Sequence, residues 1–358
     1  MTQSSVTNTA NEVHPHFYFS NRLQITDALQ RAVLVMQMAL LALIGFLAGV
    51  PLTRMICGWA DEQSVFRSPV CDCGATWSAV NILVPFRRCR KCAQQGPYWL
   101  TFTPLFTAGL FCFAWYQVFE NTCHALPEVA PDPFWIHGRF VFHLVFIALL
   151  ILATGTDLRD YVIPDQITLP GIFLGLTVAT LSGDVQIMHV WVDWSDAVNG
   201  LRGAWIPDWI KQHHHWHGLA WSTAGLVCGA GVTWTIRVVS GLILGQPALG
   251  FGDVTLMAMV GSFLGWQPVL FVFLVAPACA LVFGMLIRLI TGRSYVAFGP
   301  YLCGGALIVL LTWKWLWTPT RDVFGHWPSL LQLAGVALGT LVVLLVLVRI
   351  FRAIPVRP

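Results

Sequence analysis

Nine apolar segments dominate the sequence, and most of them are close to twenty residues long. About 20 apolar residues in a helix cross the hydrocarbon layer of a bilayer. A continuous apolar run in lipid must satisfy its backbone hydrogen bonds internally, which favours the helix. The sequence therefore predicts an all-α polytopic membrane protein, a bundle of about eight to nine transmembrane segments. The segments run approximately over 32–52, 99–118, 134–156, 167–181, 219–244, 254–266, 269–290, 296–316 and 330–350.

The composition agrees with a membrane location and argues against nucleic acid as a partner. Hydrophobic residues make up 56% of the chain and charged residues only 10%, with a mean hydropathy of +0.69. Soluble domains carry about 25% charged residues. The net charge of +3 is spread over many loops. We therefore expect a lipid bilayer around the chain and no binding of nucleic acid.

The loops and segments divide the chain into five regions. The leader has no apolar run of the kind found in signal peptides, so we expect a mobile tail that is retained. The sixth segment is expected to be too short to cross the bilayer alone. The regions are a polar N-terminal tail over 1–31, a first transmembrane helix over 32–52, a loop with four cysteines over 53–98, a membrane core over 99–305, and C-terminal membrane helices with a basic tail over 306–358.

The distribution of Lys and Arg predicts the orientation. Basic residues concentrate in the loop 53–98, around 157–161, near 288–293 and at the C-terminus, whereas the loops 119–133 and 182–218 are more acidic. Positively charged loops stay in the cytoplasm. If the segments alternate, the cysteine loop and the C-terminus are cytoplasmic and the N-terminal tail is outside.

Two aspartates stand at the ends of apolar segments, Asp157 after the third and Asp253 before the sixth. The predicted topology places both at the cytoplasmic face. An ionisable residue beside hydrocarbon costs about 3 kcal/mol, so it indicates a functional site. Two carboxylates that share a site cannot both ionise easily, so one keeps a proton while the other activates water. The simpler interpretation is that each aspartate only caps a helix end.

The glycines around Asp253 favour the functional interpretation. Gly250 and Gly252 precede the sixth segment in the run Gly-Phe-Gly-Asp. Paired glycines allow positive φ and a close backbone approach, which would suit a substrate strand held beside the carboxylate.

Four cysteines in the loop 53–98 form two pairs, Cys71 with Cys73 and Cys89 with Cys92. Four thiolates are a typical ligand set for a structural zinc ion, and a reducing cytoplasm disfavours disulfides. The sequence favours a zinc knuckle, with free thiols or a redox pair as alternatives.

Three runs of residues resemble one family, the prepilin peptidases, which are bacterial membrane aspartic proteases of the Gly-x-Gly-Asp type. The runs are Gly250-Phe251-Gly252-Asp253 with Leu256 and Ala258, Asp157 with Pro164-Asp165 and Thr168, and Phe298-Gly299-Pro300-Tyr301. The resemblance covers approximately residues 45–305, in the same order. It implies that Asp157 and Asp253 are the catalytic pair of a peptidase core in 99–305. Asp160 and Asp165 are then helix-end and turn residues.

The resemblance also implies a substrate and a second activity. The expected reaction is removal of short basic leaders from type IV prepilins or type II secretion pseudopilins, at the cytoplasmic face of the bacterial inner membrane. Members of the family also use S-adenosylmethionine to methylate the new N-terminus. This chain departs from the family pattern in its Cys-x-Cys pair, in the apolar residues after Tyr98, and at Thr255, where many relatives carry Lys. The first two departures put the methyl transfer in doubt more than the peptidase activity.

Two other classes of function fit parts of the pattern. A proton-coupled transporter or channel would use the two aspartates as a relay, and a non-catalytic pilus or secretion assembly protein would keep only the scaffold. The position of both aspartates at segment ends argues against the relay, since relay carboxylates are expected near mid-membrane. The histidines at 213–215 and 217 lie among tryptophans, which favours an interfacial amphipathic segment over a metal site.

Overall fold

The computed structural model describes residues 15–58, 73–74, 88–89, 91–93, 99–129, 133–192, 206–291 and 297–353. All nine predicted apolar segments are helical, so the all-α prediction is confirmed. A π-helical turn, Tyr116–Glu120, extends the second helix. The α-helices over these residues are α1 Pro15–Gly58, α2 Trp99–Trp115, α3 Pro133–Asp160, α4 Asp165–Ser182, α5 Asp208–Gln212, α6 His214–Leu244, α7 Phe251–Leu264, α8 Trp266–Thr291, α9 Gly299–Trp317, α10 Arg321–Gly325 and α11 Trp327–Ala353.

Six helical stretches in the described residues are long and apolar enough to cross a membrane, which makes the chain a multi-pass membrane protein. They are Gln30–Cys57, Thr101–Glu120, Pro133–Asp160, His214–Leu244, Trp266–Leu286 and Trp327–Phe351. The apolar helices α4, α7 and α9 lie outside this set. Helix α7 has 14 residues, or about 21 Å of rise, against about 30 Å of hydrocarbon. It is therefore short for a span, as the sequence predicted.

Helix α7 forms the centre of the bundle. It packs against α3, α4, α6, α8 and α9. Met257, Met259 and Phe263 are fully buried, and the ring of Phe263 stacks on Phe142 and Phe146 of α3 at 4.5 and 4.8 Å. The aromatic stack fixes α7 against α3, and the two helices carry the two aspartates.

The chain differs from the prediction at its first helix. Helix α1 begins at Pro15, so residues 15–31, expected to be a mobile tail, are helical. The apolar run that follows nucleates the helix, and the polar leader extends it toward the N-terminus.

The histidine segment is also different from the interfacial segment that the sequence indicated. His213, His214 and His215 are exposed, but His217 is fully buried. Its Nδ1 contacts Nε2 of Gln186 at 3.2 Å, and its Nε2 accepts the backbone N–H of Val190 at 3.1 Å. The interfacial interpretation is therefore wrong for His217. The loop 183–192 folds back over this end of α6 and contacts the buried imidazole through Gln186 and Val190.

Candidate active site

Asp157 lies in the last turn of α3, three residues before the helix ends. It is buried, with 7% of the residue exposed. Its Oδ2 accepts the backbone N–H of Gly299 at 3.0 Å. Gly299 is the first residue of α9, so a helix N-terminus, where N–H groups lack partners inside the helix, faces this carboxylate. The start of α9 thus fixes the Asp157 side chain.

Asp253 lies in the first turn of α7 and is half-buried. Its Oδ2 accepts the backbone N–H of Gly250 at 2.9 Å. An aspartate in this position satisfies an orphan N–H of the helix and is favoured by the helix dipole. The guanidinium of Arg237 lies within electrostatic range of Asp253 and donates to the carbonyl of Leu249 at 2.5 Å. Asp253 therefore caps the start of α7, as the simpler interpretation expected, and this position is compatible with a catalytic role.

The fold brings the two predicted aspartates to one place. The charge of Asp253 acts on Asp157, and both act on the thiol of Cys303. Ile163 joins the two halves of the site. A methyl group on Gly252 would come within 3.2 Å of Ile163 Cβ, and one on Gly299 would come within 2.9 Å of Ile163 Cδ1. The start of α7, the start of α9 and the end of α3 therefore converge around this isoleucine.

The two glycines before Asp253 do not have the backbone conformation that the sequence favoured. Gly250 is extended, with φ −69° and ψ 164°, and Gly252 lies inside α7. Among the described glycines, positive φ occurs only at Gly74, Gly183, Gly245 and Gly265. The expectation of positive φ is therefore wrong. Gly252 is small because Ile163 packs on it, whereas Gly250 has ordinary room around it, its closest neighbour being Asp253 Oδ2 at 3.5 Å.

The neighbouring acidic residues lie at the helix ends where they were expected. Asp160 ends α3 and lies 3.7 Å from Arg159. Asp165 begins α4 and its Oδ1 accepts the hydroxyl of Thr255 at 3.4 Å. Through this contact Thr255 connects α7 to the start of α4. These contacts brace the helix ends around the aspartate pair.

Gly299 and Ile163 belong to the site but were not singled out for it from the sequence. Gly299 stood in the run Phe298-Gly299-Pro300-Tyr301, which carried the family resemblance without a role. A glycine before a proline at a helix start is a signal that a close contact needs space. Ile163 gave no signal, because one more isoleucine in an apolar chain is unremarkable by itself.

Three of the four loop cysteines lie together. The Sγ atoms of Cys73, Cys89 and Cys92 are all within 4.8 Å of one another, and Cys73 Sγ is 3.5 Å from Cys89 Sγ. Backbone N–H groups of Cys92 and Lys91 point at the sulfur of Cys89 and lower the pKa of its thiol to about 6. Cys71 lies outside the described residues. The three thiols are separated too widely for a disulfide, whose sulfurs are about 2 Å apart.

Comparisons with known proteins identify the same family as the sequence runs. A model of the type IV leader peptidase family matches residues 144–285, which include both aspartates. A Pseudomonas putida prepilin leader peptidase/N-methyltransferase is 25% identical over 260 residues, covering 68% of this chain and 78% of the relative.

Two more relatives carry the same name. The protein from Pectobacterium carotovorum subsp. carotovorum is 24% identical over 220 residues, covering 56% of this chain and 67% of its own length. The protein from Aeromonas salmonicida (strain A449) is 28% identical over 171 residues, covering 47% of this chain and 48% of its own length. No solved structure matches the chain. Taken with the apolar helices of the described residues, these matches show that the chain is similar to the type IV leader peptidase family, over residues 144–285 in the family model.

Proposed function

We propose that Asp157 and Asp253 are the catalytic pair of an aspartic endopeptidase that removes basic leaders from type IV prepilins or type II secretion pseudopilins. The observation that carries this proposal is the convergence of the two carboxylates at the ends of α3 and α7. Two carboxylates at one site share a proton, so one acts as acid and the other as base on a water molecule. The chemistry needs no metal ion at the aspartates.

The hydrogen bonds of the two carboxylates indicate which oxygen atom of each is already engaged. Asp157 is the more enclosed carboxylate, and it uses Oδ2 on the N–H of Gly299. Asp253 uses Oδ2 on the N–H of Gly250. Oδ1 of each carboxylate is then available to act on a shared water molecule. The space around Gly250 admits the substrate backbone beside Asp253.

The distribution of basic residues supports a location of this chemistry at the cytoplasmic face of the inner membrane. Arg159 lies in the last turn of α3 together with Asp157, and a basic helix end should remain in the cytoplasm. A basic leader would then approach from the cytoplasm while the apolar part of the substrate stays in the bilayer. A proton relay fits less well, because both aspartates lie at helix ends and not within the hydrocarbon layer.

The direct test is cleavage of a prepilin that carries a basic leader and a glycine before its apolar helix. We expect the purified full chain in detergent to release the leader, seen as a loss of mass. Asp157→Asn and Asp253→Asn should each lower the rate about a thousandfold or more, because each removes a proton donor or acceptor from the transition state. Asp322→Asn is the matched control, since that carboxylate is 87% exposed. Unchanged cleavage in either site variant would remove that residue from the pair.

Zinc is the proposed structural ion of the cysteine cluster, with Cys73, Cys89, Cys92 and Cys71 as ligands. Zn–S bonds of about 2.3 Å in a tetrahedron set the sulfurs about 3.8 Å apart, which the 3.5 Å between Cys73 and Cys89 fits. A thiol with a pKa of about 6 is already a thiolate at neutral pH, as a zinc ligand must be. When bound, the ion would hold the two halves of the loop 53–98 together.

Metal analysis of the purified protein tests this ligand set. We expect about one zinc ion per wild-type chain, and less than about a tenth of that in Cys89→Ser and Cys92→Ser. Cys279→Ser, in the transmembrane helix α8, is the control and should keep the full zinc content. Equal zinc in all variants would contradict the assignment.

The names of the relatives also include an N-methyltransferase activity. The prepilin cleavage assay can measure this activity for the present chain. With S-adenosylmethionine present, a product one methyl group heavier would assign the second activity to this chain. A product of unchanged mass would make it a peptidase alone.

A further inference from the structure

A half-open apolar groove lies between α2, α3 and α9, and Ile56 of α1 also contributes to its lining. Its volume is about 210 Å³, enough for one or two bulky side chains. Both α2 and α9 pack on α3, which forms the floor of the groove. The lining includes Phe106 of α2, Ile151 and Thr154 of α3, and Cys303, Gly304 and Leu307 of α9.

The groove leads to the aspartate pair. On α3 its floor follows Ile147, Ile151, Thr154 and Leu158, residues three or four apart that share one helix face. From Ile147 to Asp157 the helix rises about 15 Å. On α9 the groove begins at Pro300, next to the Gly299 N–H that holds Asp157. An extended or helical segment that leaves the carboxylates toward the bilayer centre therefore enters this groove.

The walls are suited to an apolar occupant. Thr154 and Thr103 are the polar side chains of the lining apart from thiols, and the hydroxyl of Thr154 is hydrogen-bonded to Cys303. Phe102, Phe106 and Leu158 at the rim are 54%, 44% and 44% exposed. Since these residues lie in a membrane-spanning region, the rim is open to lipid. A polar segment would lose its hydrogen bonds to water here without gaining others.

We propose that this groove receives the apolar helix of the substrate, on the C-terminal side of the bond that is cut. The inference rests on the proposed peptidase function and adds the place where the membrane part of the substrate binds. Residues 147–158 of α3, one wall from α2 and one from α9 then hold the helix while its junction with the leader lies between Asp157 and Asp253. Binding energy from this remote part of the substrate positions the scissile bond.

Gly304 allows the groove to be filled without disturbing its walls. A methyl group at this position would meet no atom within 4 Å, and alanine is a better helix former than glycine. Gly304→Phe should place a ring in the groove. Gly231→Phe, on α6 and equally open, controls for an added aromatic residue elsewhere in the membrane region.

The test compares two substrates with the full-length enzyme in detergent. One is a prepilin with its apolar helix, and the other is a water-soluble peptide with the same leader and junction but no helix. We expect Gly304→Phe to raise KM for the prepilin about tenfold or more, with kcat within about twofold, and to leave the kinetics of the peptide unchanged. Gly231→Phe should match the wild type with both substrates.

Covalent capture gives a second measurement if Gly304→Phe is unstable. Gly304→Cys in the inactive Asp253→Asn background should form a disulfide with a cysteine placed in the apolar helix of the prepilin, and the same substrate should not cross-link to Gly231→Cys. Cleavage of the prepilin with unchanged KM in Gly304→Phe would overturn the groove assignment, and cross-linking at both cysteines equally would do the same. Failure of the wild type to cut either substrate would instead overturn the proposed function.

Discussion

At the residue scale, the contact between Asp157 and Gly299 determines the geometry of the candidate site. A methyl group on Gly299 would come 2.5 Å from Asp157 Oδ2 and 2.9 Å from Ile163 Cδ1. The backbone N–H of Gly299 can reach the carboxylate only because no side chain stands between them. The glycine therefore allows this close approach, and it orients one carboxylate of the proposed catalytic pair.

Replacement of Gly299 with alanine tests this role. We expect Gly299→Ala to lower kcat about a hundredfold, since a displacement of about 1 Å in a catalytic group has that effect. The melting temperature should change little, because the strain is relieved by moving a side chain. Gly231→Ala, on α6, has open space around it and should keep full activity. Equal activity in the two variants would show that Asp157 does not depend on the contact.

The aspartates could be found from the sequence because a charge at the end of an apolar segment is costly and therefore conspicuous. The packing around the two aspartates could not be found from the sequence. Ile163 and Gly299 are defined by contacts between helices that are distant along the chain, and no local pattern encodes them. Positive φ at Gly250 and Gly252 was a reasonable expectation from glycine alone, but the reason for Gly252 is the side chain of Ile163, which only the fold supplies.

At the element scale, helix α6 packs through a stripe of small residues. Gly218, Ser222, Gly225, Gly229 and Thr233 lie three or four residues apart and are all buried. A methyl group on Gly225 would overlap the carbonyl oxygen of Gly261 in α7, and one on Gly229 would overlap that of Met257. Small residues allow membrane helices to approach closely, where packing and not the hydrophobic effect holds them together. Through this contact α6 supports the helix that carries Asp253.

A bulky residue in the stripe should separate α6 from α7. We expect Gly225→Leu to lower the free energy of unfolding by about 3 kcal/mol or more, because the overlap is with backbone that cannot move aside. Gly231→Leu, on the same helix with no neighbour within 4 Å, should be within about 0.5 kcal/mol of the wild type. Thermal unfolding in detergent measures both, and equal melting temperatures would contradict this account of the α6–α7 contact.

The elements themselves were largely predictable, because length and hydropathy alone specify a helix in lipid. All nine segments are helices, and the break at Gln267-Pro268 was expected between α7 and α8, which the structure separates at Gly265 with φ +83°. The start of α1 at Pro15 and the burial of His217 were not predictable. Both depend on what lies next to the segment, and a polar leader or a histidine-rich loop does not reveal that locally.

At the scale of the whole molecule, two polar centres lie at opposite ends of α3. The aspartate pair is at one end, and at the other His143 and Arg139 of α3 are buried beside His124. The loop 183–192 covers this second centre, where His189 contacts the carbonyl of Glu128 at 3.0 Å. From Arg139 to Asp157 the helix rises about 27 Å. The second centre is far from the proposed chemistry, so we expect it to affect stability and not catalysis.

The loop histidines of this centre should make the protein less stable in acid. Burial lowers the pKa of His124 to about 4, with a smaller contribution from the charge of Arg139, and burial likewise lowers the pKa of His189 to about 4. The unfolded chain, with an ordinary histidine pKa near 6.5, then binds more protons than the folded chain between pH 6.5 and 4. The contribution of these two histidines to the free energy of unfolding is complete above about pH 6.5 and is lost as the pH falls toward 4.

Melting temperatures at pH 7.5 and pH 5 measure this effect in detergent. We expect the wild type to melt at a lower temperature at pH 5, and His124→Gln to show a smaller difference between the two pH values, because the side chain no longer titrates. His326→Gln, an exposed histidine on the loop before α11, should keep the wild-type difference. The same pH dependence in wild type and His124→Gln would contradict the assignment.

The measurement that tests the central claim most directly is kcat/KM of prepilin cleavage for Asp157→Asn, Asp253→Asn and the double variant. Residues that act as one unit give losses that do not add. If the two carboxylates share one water and one proton, each single variant should lose about as much activity as the double variant. Losses that add in the double variant, or substantial activity in either single variant, would show that Asp157 and Asp253 are not a catalytic pair.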